Sequence, residues 1–461
     1  MPDCASASSD AAARELRPVL TGLMPALTVA SVDQNIVATA LPRITSELGG
    51  LRHLSWVVTA FLATSTVSAP LYGRLSDLYG RKPAYMLSII IFLFGSVLCG
   101  LAGSLDALIV FRARQGLGAG GLIVLAQTVI AAALLLIAAG LRPRSRGPAA
   151  RLDLAGIALL VFGTTALLLV LSWGGIAYAW SSTTIVGLIA SAAMALLLLV
   201  ATERRAEQPL LPPVLFRNKV FVLASAVICL TAMSLFAAAV FLPLMFQLLM
   251  GASPAGAGLM VAPMMGGVIV ASFLGGRLLT RTGRYKRFPV LGLFAAMLSY
   301  ATLAWTTHAS SPAWLVETIL VAIGFGLGLV MPNLTTAIQN AVERTELGGA
   351  TATAAFFRSL GGALGVALAG AVLALHLNGL STTSLAAGSS VVQIASLPGP
   401  QRLAVLAAYR AGLTGAFAAG AALSALAFLI VLFLPELPLR STPIAPAALD
   451  AGHPAKVGGT P

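Results

Sequence analysis

Long apolar segments separated by short polar breaks fill most of this chain, from about Val19 to Pro435. Each segment is about 20 residues or longer, the length that a helix needs to cross a hydrocarbon core of about 30 Å. Runs of about ten residues with alternating polarity, which are typical of membrane β-barrels, are absent from the sequence. The pattern predicts an all-α polytopic membrane protein, because each helical span satisfies its own backbone hydrogen bonds in lipid. We place twelve spans, at residues 18–42, 54–72, 83–103, 107–141, 152–174, 182–201, 221–250, 256–276, 288–307, 312–336, 347–376 and 411–435.

The composition favours the same class, since the 461 residues are 58% hydrophobic and only 9% charged. A soluble chain of this length would need far more polar surface. The first 17 residues are polar and no small-residue cleavage site follows the first apolar run, so we expect an uncleaved first span rather than a signal peptide. The cysteines Cys4, Cys99 and Cys229 lack ligand spacing, so neither a disulfide nor a metal site is predicted.

The distribution of basic residues sets the orientation of the spans. With the amino terminus inside, 21 of the 28 Lys and Arg residues fall in cytoplasmic segments, four fall outside and three lie within spans. This is the bias that the positive-inside rule describes. The net charge of +13 therefore reflects loops beside a lipid bilayer, so we exclude nucleic acid as a partner and predict that both termini are cytoplasmic.

A short sequence repeats at matched positions in this topology. GRLSDLYGRK begins at Gly73 and GRLLTRTGRY begins at Gly276, 203 residues later, each in a cytoplasmic loop after a span that runs inward. Two copies with the same orientation predict two structural halves related by an axis along the membrane normal, with a central site between them.

These motifs resemble those of a known family. The first copy of the repeat resembles the loop 2–3 signature of the major facilitator superfamily at Gly73, Asp77, Gly80, Arg81 and Lys82. RARQGLGAGG, which begins at Arg112, resembles the fourth-helix motif of that superfamily. Further stretches resemble its fourteen-helix drug:proton antiporter branch: DQNIVATALPRI from Asp33, LDLAGIALL from Leu152, FLPLMFQLLMGASPAGAGLMVAP from Phe241 and QNAVERTELGGATATAAFFRSLGGALGVAL from Gln339.

The resemblance implies a two-half helix bundle in the bacterial inner membrane that exports amphipathic drugs or other small molecules in exchange for protons. It implies a monomer with no cofactor, because the proton motive force supplies the energy. The chain contains no GxxxxGK[ST] motif, so ATP-driven transport by this chain is not expected. No nucleophile–base arrangement stands out either, so we do not expect an enzyme.

The fourth apolar run departs from the pattern of the branch. Its 35 residues, from Ala107 to Leu141, would form a helix of about 50 Å. LAQTVIA resembles the end of helix four and ALLLIAAGLRPRSRG the end of helix six, so we infer a junction near Ala131, with helix five and most of helix six missing. A single over-long, tilted span is the alternative. A deletion would also allow a second functional hypothesis, a non-transporting or defective member of the family.

This interpretation divides the chain into five parts. They are a cytoplasmic tail (1–17), an amino-terminal helix bundle (18–141), a basic loop with two linker helices (142–219), a carboxy-terminal helix bundle (220–436) and a disordered cytoplasmic tail (437–461).

Two charged residues inside predicted spans are candidates for proton coupling. Asp33 lies about nine residues from the outer end of the first span, and Arg112 lies at a comparable depth in the fourth. An intramembrane carboxylate is a functional candidate by default, although helix capping is the structural alternative. Arg112 fills the position of the fourth-helix arginine that the resemblance implicates in coupling. Because Arg114 lies about 200° further around the helix, we expect Arg112 to face the bundle and Arg114 to reach the outer interface.

The loop motif is the candidate gate, formed by Gly73, Asp77, Gly80, Arg81 and Lys82. Its glycines permit a tight turn and a close helix approach, and its charges can pair across the inner side. Arginines that only set the topology are the alternative.

Four polar residues in the spans are candidate cavity-lining residues: Gln115, Gln247, Glu317 and Arg358. Arg358 lies near mid-membrane, where its charge needs a partner or a water-filled cavity. A structural role is the alternative for all four, since Glu317 can reach the outer interface and buried glutamines more often bond between helices.

Overall fold

The computed structural model describes residues 54–139, 153–174, 178–206, 209, 211–308, 311–343, 346–378, 394 and 397–438. These residues are helical or irregular, and they contain no β-strand apart from one isolated bridge between Gly174 and Tyr178. In chain order the α-helices are α1 (Leu54–Tyr79), α2 (Arg81–Gly100), α3 (Leu105–Ala139), α4 (Leu154–Trp173), α5 (Thr183–Glu203), α6 (Lys219–Leu249), α7 (Pro254–Thr282), α8 (Arg287–His308), α9 (Ala313–Gly328), α10 (Met331–Ala341), α11 (Leu347–Asn378) and α12 (Gly399–Leu432). A 3₁₀-helix, Pro213–Arg217, precedes α6.

Within the described residues, eight helical stretches are long and apolar enough to cross a membrane. One of them, Ala313–Ala341, combines α9 and α10. The prediction of an all-α polytopic membrane protein is thereby confirmed. The first predicted span, 18–42, lies outside the described residues.

Several helix boundaries differ from the predicted spans. α1 and α7 continue past residues 72 and 276 to Tyr79 and Thr282, so most of each repeat is helical and does not lie in a loop as predicted. Two further differences concern α12 and the pair α9 and α10. The last span was expected at 411–435, but α12 begins at Gly399, directly after Pro398. Hydropathy detects only the lipid-facing part of a helix, whereas the outer turns of α12 carry polar residues and are exposed. The span expected at 312–336 is divided into α9 and α10, and Pro332 lies in the first turn of α10, where a proline is tolerated because no intrahelical N–H bond is lost.

Side-chain caps begin several of the helices. The Asn218 side chain accepts hydrogen bonds from the Val220 and Phe221 amides at the start of α6. Ser182 and Ser253 cap α5 and α7 in the same way. Such caps satisfy N–H groups that would otherwise lack a partner at the first helical turn.

Both copies of the sequence repeat place a glycine with a positive φ directly after the helix. Gly80 follows α1 with φ of 91°, and Gly283 follows α7 with φ of 68°. Only glycine adopts a φ in this positive range without strain, which explains why both motifs have a glycine there. In accord with the predicted orientation, we call these ends of α1 and α7 the inner ends.

The helix packing also repeats. In the amino-terminal part α1 and α2 pack against α3, and in the carboxy-terminal part α7 and α8 pack against α9. The carboxy-terminal part is closed further by α11 and α12, which pack against α6. The two parts meet where α1 packs against α11, and the linker pair α4 and α5 contacts both sides of this seam through α4. The bundle therefore has the two-half arrangement that the repeat predicted.

Candidate functional site

Arg112 lies inside the amino-terminal half, with 2% of its surface exposed. Its Nη1 donates a hydrogen bond of 2.6 Å to Oε1 of Gln115, one helical turn further along α3. Its guanidinium also lies over the Phe61 ring of α1, with Cζ 4.3 Å from the ring centre. A cation held over an aromatic face in a desolvated site is attracted by about 2 kcal/mol. The charge is therefore held by contacts within one helix and between two helices.

The glycines of the RARQGLGAGG motif bring α3 close enough to its neighbours to form this site. A methyl group on Gly116 would collide with the Phe61 carbonyl and the Thr64 hydroxyl of α1. On the other side, a methyl group on Gly118 would collide with the backbone of Phe92 in α2. Small residues allow membrane helices to approach closely, and here they place the Phe61 ring within reach of Arg112.

Arg114 is exposed, whereas Arg112 is buried. The orientation expected from their spacing is thus confirmed. The coupling role of Arg112 stays a prediction.

Gln115 is the one candidate cavity residue that the structure places beside Arg112. It is fully buried, and its Oε1 also accepts a weak hydrogen bond from the Cys99 thiol of α2 at 3.7 Å. Neither Cys99 nor Phe61 was predicted as part of the site. The sequence carries no signal for them, because both reach Arg112 or Gln115 from other helices whose relative register is set only on folding.

The other candidate cavity residues lie elsewhere. Gln247 is buried near the outer end of α6, and its Nε2 has no hydrogen-bond partner among the described residues. Glu317 is half-buried near the start of α9, and Arg358 is half-buried on α11. Asp33 lies outside the described residues, so its proximity to Arg112 remains a prediction.

The loop motif lies at the inner end of α1 and at the turn into α2. Gly73 faces α11, where a methyl group built on it would lie 3.3 Å from Cβ of Ala352. The motif is thus located where the two halves meet. Lys82 is exposed, and the side chains of Asp77 and Arg81 lie outside the described residues. The gating role stays a prediction.

A sequence profile of the Major Facilitator Superfamily matches residues 23–366 of the chain. The chain belongs to this superfamily. It is 33% identical over 419 residues to "Multidrug transporter protein MdtP" of Bacillus subtilis, a match that covers 80% of this chain and 77% of the relative. It is also 29% identical over 405 residues to "Multidrug resistance protein 3" of Bacillus subtilis, covering 77% and 79% of the two chains.

Two further comparisons cover a larger share of this chain. The "Uncharacterized MFS-type transporter Rv1877" of Mycobacterium tuberculosis is 33% identical over 483 residues, covering 91% of this chain and 70% of the relative. The crystal structure of a bacterial homologue of the human lysosomal transporter Spinster, inward-facing and occupied, superposes with a TM-score of 0.59 at 16% identity, covering 90% of this chain and 96% of that one. The protein is thus a multi-pass membrane transporter of the superfamily with multidrug transporters among its relatives.

Proposed function

We propose that the protein exports amphipathic compounds across the bacterial inner membrane in exchange for protons, as a monomer without a cofactor. The main observation behind this proposal is that Arg112, a cation, is buried in the amino-terminal half beside α1. The names of the two Bacillus relatives, which describe multidrug transport and resistance, support the substrate class. Because the relatives are transporters, the alternative of a non-transporting member is not favoured.

Asp33 and Arg112 form the coupling pair in this proposal. A proton that enters from outside neutralises the Asp33 carboxylate and weakens its attraction to Arg112, and release of the proton inside restores that attraction. The contacts of Arg112 with Phe61 and Gln115 support this role, since they place the cation inside the amino-terminal half beside α1. The motif that carries Gly73 acts as the inner gate, where α1 and α11 touch.

We also propose that the chain is a fourteen-helix member without helix five and most of helix six. The alignment to the mycobacterial relative has 483 positions but contains only 91% of the 461 residues here, about 420, so about 63 positions lack a residue in this chain. The MdtP alignment has 419 positions for 80% of the chain, about 369, which leaves about 50 such positions. Either number corresponds to about two membrane spans of 20 residues with their connections.

The packing supports the same interpretation. The face of α1 that carries Gly73 packs against α11. When α9 and α10 are counted as one span, α11 is the fifth span of the carboxy-terminal half. By the repeat, Gly276 on α7 should face the fifth helix of the amino-terminal half. A methyl group on Gly276 would instead meet open space among the described residues. The uncovered face is where a missing helix five would pack.

Proton release from everted membrane vesicles tests the transport proposal. Vesicles containing the full chain are acidified inside and given a cationic or an anionic amphiphile, and the internal pH is followed with a fluorescent amine. We expect each transported compound to release protons. Asp33→Asn and Arg112→Gln each remove one member of the coupling pair. Each should reduce the rate of proton release at least about tenfold, as expected when a group needed for proton transfer is lost.

Arg114→Gln is the matched control, since Arg114 lies on the same helix but is exposed. It should transport at the normal rate. An Asp33→Asn protein that still pumps against a gradient would refute the coupling role of Asp33. A monodisperse, correctly inserted protein without any signal would instead support the non-transporting alternative.

A further inference from the structure

Arg358 belongs to α11, the helix at which the two halves meet. On α11, Gly361 and Gly365 lie against Cys229 and Met233 of α6, whereas Ala352 and Ala355 pack with α1. At 100° per residue, Arg358 lies on the side of α11 that faces α6, between the positions of Gly362 and Gly365 and about 60° or more from the face that contacts α1. α1 and α6 make no extended contact with each other. Part of the Arg358 side chain is left uncovered, and α11 borders the gap between the halves, where two-half transporters place their substrates.

No described residue forms a hydrogen bond or an ion pair with the Arg358 guanidinium, although the side chain is half-buried. In the part of the chain that the structure describes, six helices pack against α11. α4 and α10 carry no charge, and the others carry Lys219 (α6), Arg74 and Asp77 (α1), Asp106, Arg112 and Arg114 (α3), and Arg402 and Arg410 (α12).

Neither carboxylate on these helices lies at the depth of Arg358. Ala352 is level with Gly73, so Arg358 lies six residues outward and Asp77 four residues inward of this contact, about 15 Å apart along the helices. Asp106 is in the first turn at the outer end of α3. The packed helices therefore supply a cation at mid-membrane without a carboxylate beside it.

A second unsatisfied polar group lies on α6 at the same level. Ser225 is 3% exposed, and its hydroxyl has no hydrogen-bond partner among the described residues. It is one turn inward of Cys229 on the same face of α6. Because Cys229 lies against Gly361, the register of the two helices puts Ser225 level with residues 357 and 358. Two hydrogen-bond donors thus share one depth on facing helices.

We propose that Arg358 and Ser225 form an anion-binding subsite in the transport cavity, and that the exported compounds include amphipathic organic anions; this inference rests on the proposed export function. An unpaired cation in the membrane is unfavourable, and a bound anion offsets that cost. A guanidinium binds the two oxygens of a carboxylate, sulfonate or phosphate through parallel hydrogen bonds. Phe236, which lies against Gly362 of α11, offers apolar surface for the body of such a compound.

Equilibrium binding to the purified full chain in detergent tests the subsite. The probes are tritiated naphthalene-2-sulfonate and the matched cation 2-naphthylmethylammonium, measured by scintillation proximity. We expect the sulfonate to bind more tightly than the ammonium. Arg358→Gln should weaken sulfonate binding about tenfold or more, the usual loss for a hydrogen bond to a charged group, and Ser225→Ala about threefold. Arg358→Lys, which keeps the charge, should fall between wild type and Arg358→Gln.

Arg402→Gln is the control, because Arg402 is exposed at the outer end of α12 and should not affect binding. Equal affinity for both probes, or unchanged sulfonate binding in Arg358→Gln and Arg358→Lys, would overturn the proposal. Sulfonate binding that appears only in Asp33→Asn would also overturn it, by showing that Asp33 neutralises Arg358.

A lipid headgroup could supply the same anionic chemistry. Phosphatidylglycerol added to the micelles should not displace the sulfonate more than phosphatidylcholine does. Preferential displacement would overturn the assignment to exported compounds and identify lipid phosphate as the ligand. Because binding at equilibrium needs no proton gradient, failure of export and failure of the subsite give separate results.

Discussion

Arg112 depends on how closely α3 approaches α1, because the Phe61 ring that lies beneath its guanidinium belongs to α1. Gly116 controls this distance. It lies one turn from Arg112 and directly against the Phe61 carbonyl, where no Cβ fits. The same backbone contact thus fixes both the helix pair and the aromatic partner of the buried charge.

Replacing Gly116 with alanine should therefore separate α1 from α3. We expect Gly116→Ala to lower the free energy of unfolding by about 1–3 kcal/mol, since the methyl group meets backbone that cannot move aside cheaply. Gly187 on α5 is the matched control, because it is also helical and a methyl group there meets open space. Gly187→Ala should leave stability unchanged or raise it by up to about 1 kcal/mol. Thermal unfolding in detergent measures both, and equal melting temperatures would contradict the packing role of Gly116.

The sequence predicted the orientation of Arg112 and Arg114 but not the contacts of Arg112. The helical period turns two positions that are two residues apart to opposite sides of the helix, and the resemblance to the fourth-helix motif indicates that Arg112 is the one that faces the bundle. Phe61 and Cys99 come from α1 and α2, and only the crossing of those helices with α3 brings them to Arg112 and Gln115. Contacts of this kind depend on inter-helix register, for which a single sequence has no local signal.

The inner ends of α8 and α12 are joined by hydrogen bonds that cross the bundle. The Tyr285 hydroxyl, just before α8, donates to the Pro435 carbonyl and accepts from the Leu437 amide, both at 2.7 Å. Lys286 donates to the Leu432 carbonyl at 2.7 Å. These bonds hold the segment after α12 against the start of α8 and satisfy its free carbonyl groups.

Tyr285→Phe should loosen this junction. Burial raises the pKa of Tyr285, the hydrogen bond from Leu437 lowers it, and the charge of Glu436 raises it, for a net increase. Tyr285 therefore stabilises the fold fully below pH about 10, and this contribution is lost as the pH rises through the folded pKa. We expect Tyr285→Phe to lower the free energy of unfolding by about 1 kcal/mol at pH 8. Because the variant lacks the titrating hydroxyl, it should also lose less stability than the wild type as the pH rises above about 10.

Melting temperatures between pH 8 and pH 11 test this expectation. Tyr79→Phe is the control, since Tyr79 is 63% exposed and should melt as wild type does at every pH. A Tyr285→Phe protein with the wild-type pH profile would show that the Tyr285 hydroxyl does not link these two helix ends.

Helix boundaries were less predictable than the existence of the helices. Apolar length located the spans, because the bilayer thickness requires it. It did not reveal that α12 begins at Gly399, since the outer turns of that helix need no apolar face. It also missed the division between α9 and α10, where the apolar pattern continues through the break at residues 329–330.

At the scale of the whole molecule, the orientation of the later spans is the same with or without the proposed loss of a helix pair. Removing two spans leaves the number before any later loop even or odd as before, and the basic loops then still fall on one side. The α1 and α7 helices each end at a glycine with positive φ, Gly80 and Gly283, at matching positions of the two copies. The position of the loop between α3 and α4 therefore tests the topology, because this loop lies on the cytoplasmic side only if the 35-residue α3 crosses the membrane once.

Reporter fusions at three positions test this topology. Alkaline phosphatase is active only outside the inner membrane, and green fluorescent protein folds well only in the cytoplasm. We expect fluorescence and no phosphatase activity for fusions after Arg146 and after Pro461, and the reverse after Trp180, between α4 and α5. The bias of the 28 basic residues is the physical reason, since translocating Arg-rich loops is unfavourable. Phosphatase activity after Arg146 would mean that α3 and its flanks cross the membrane twice, and both the deletion and the single tilted span would then be wrong.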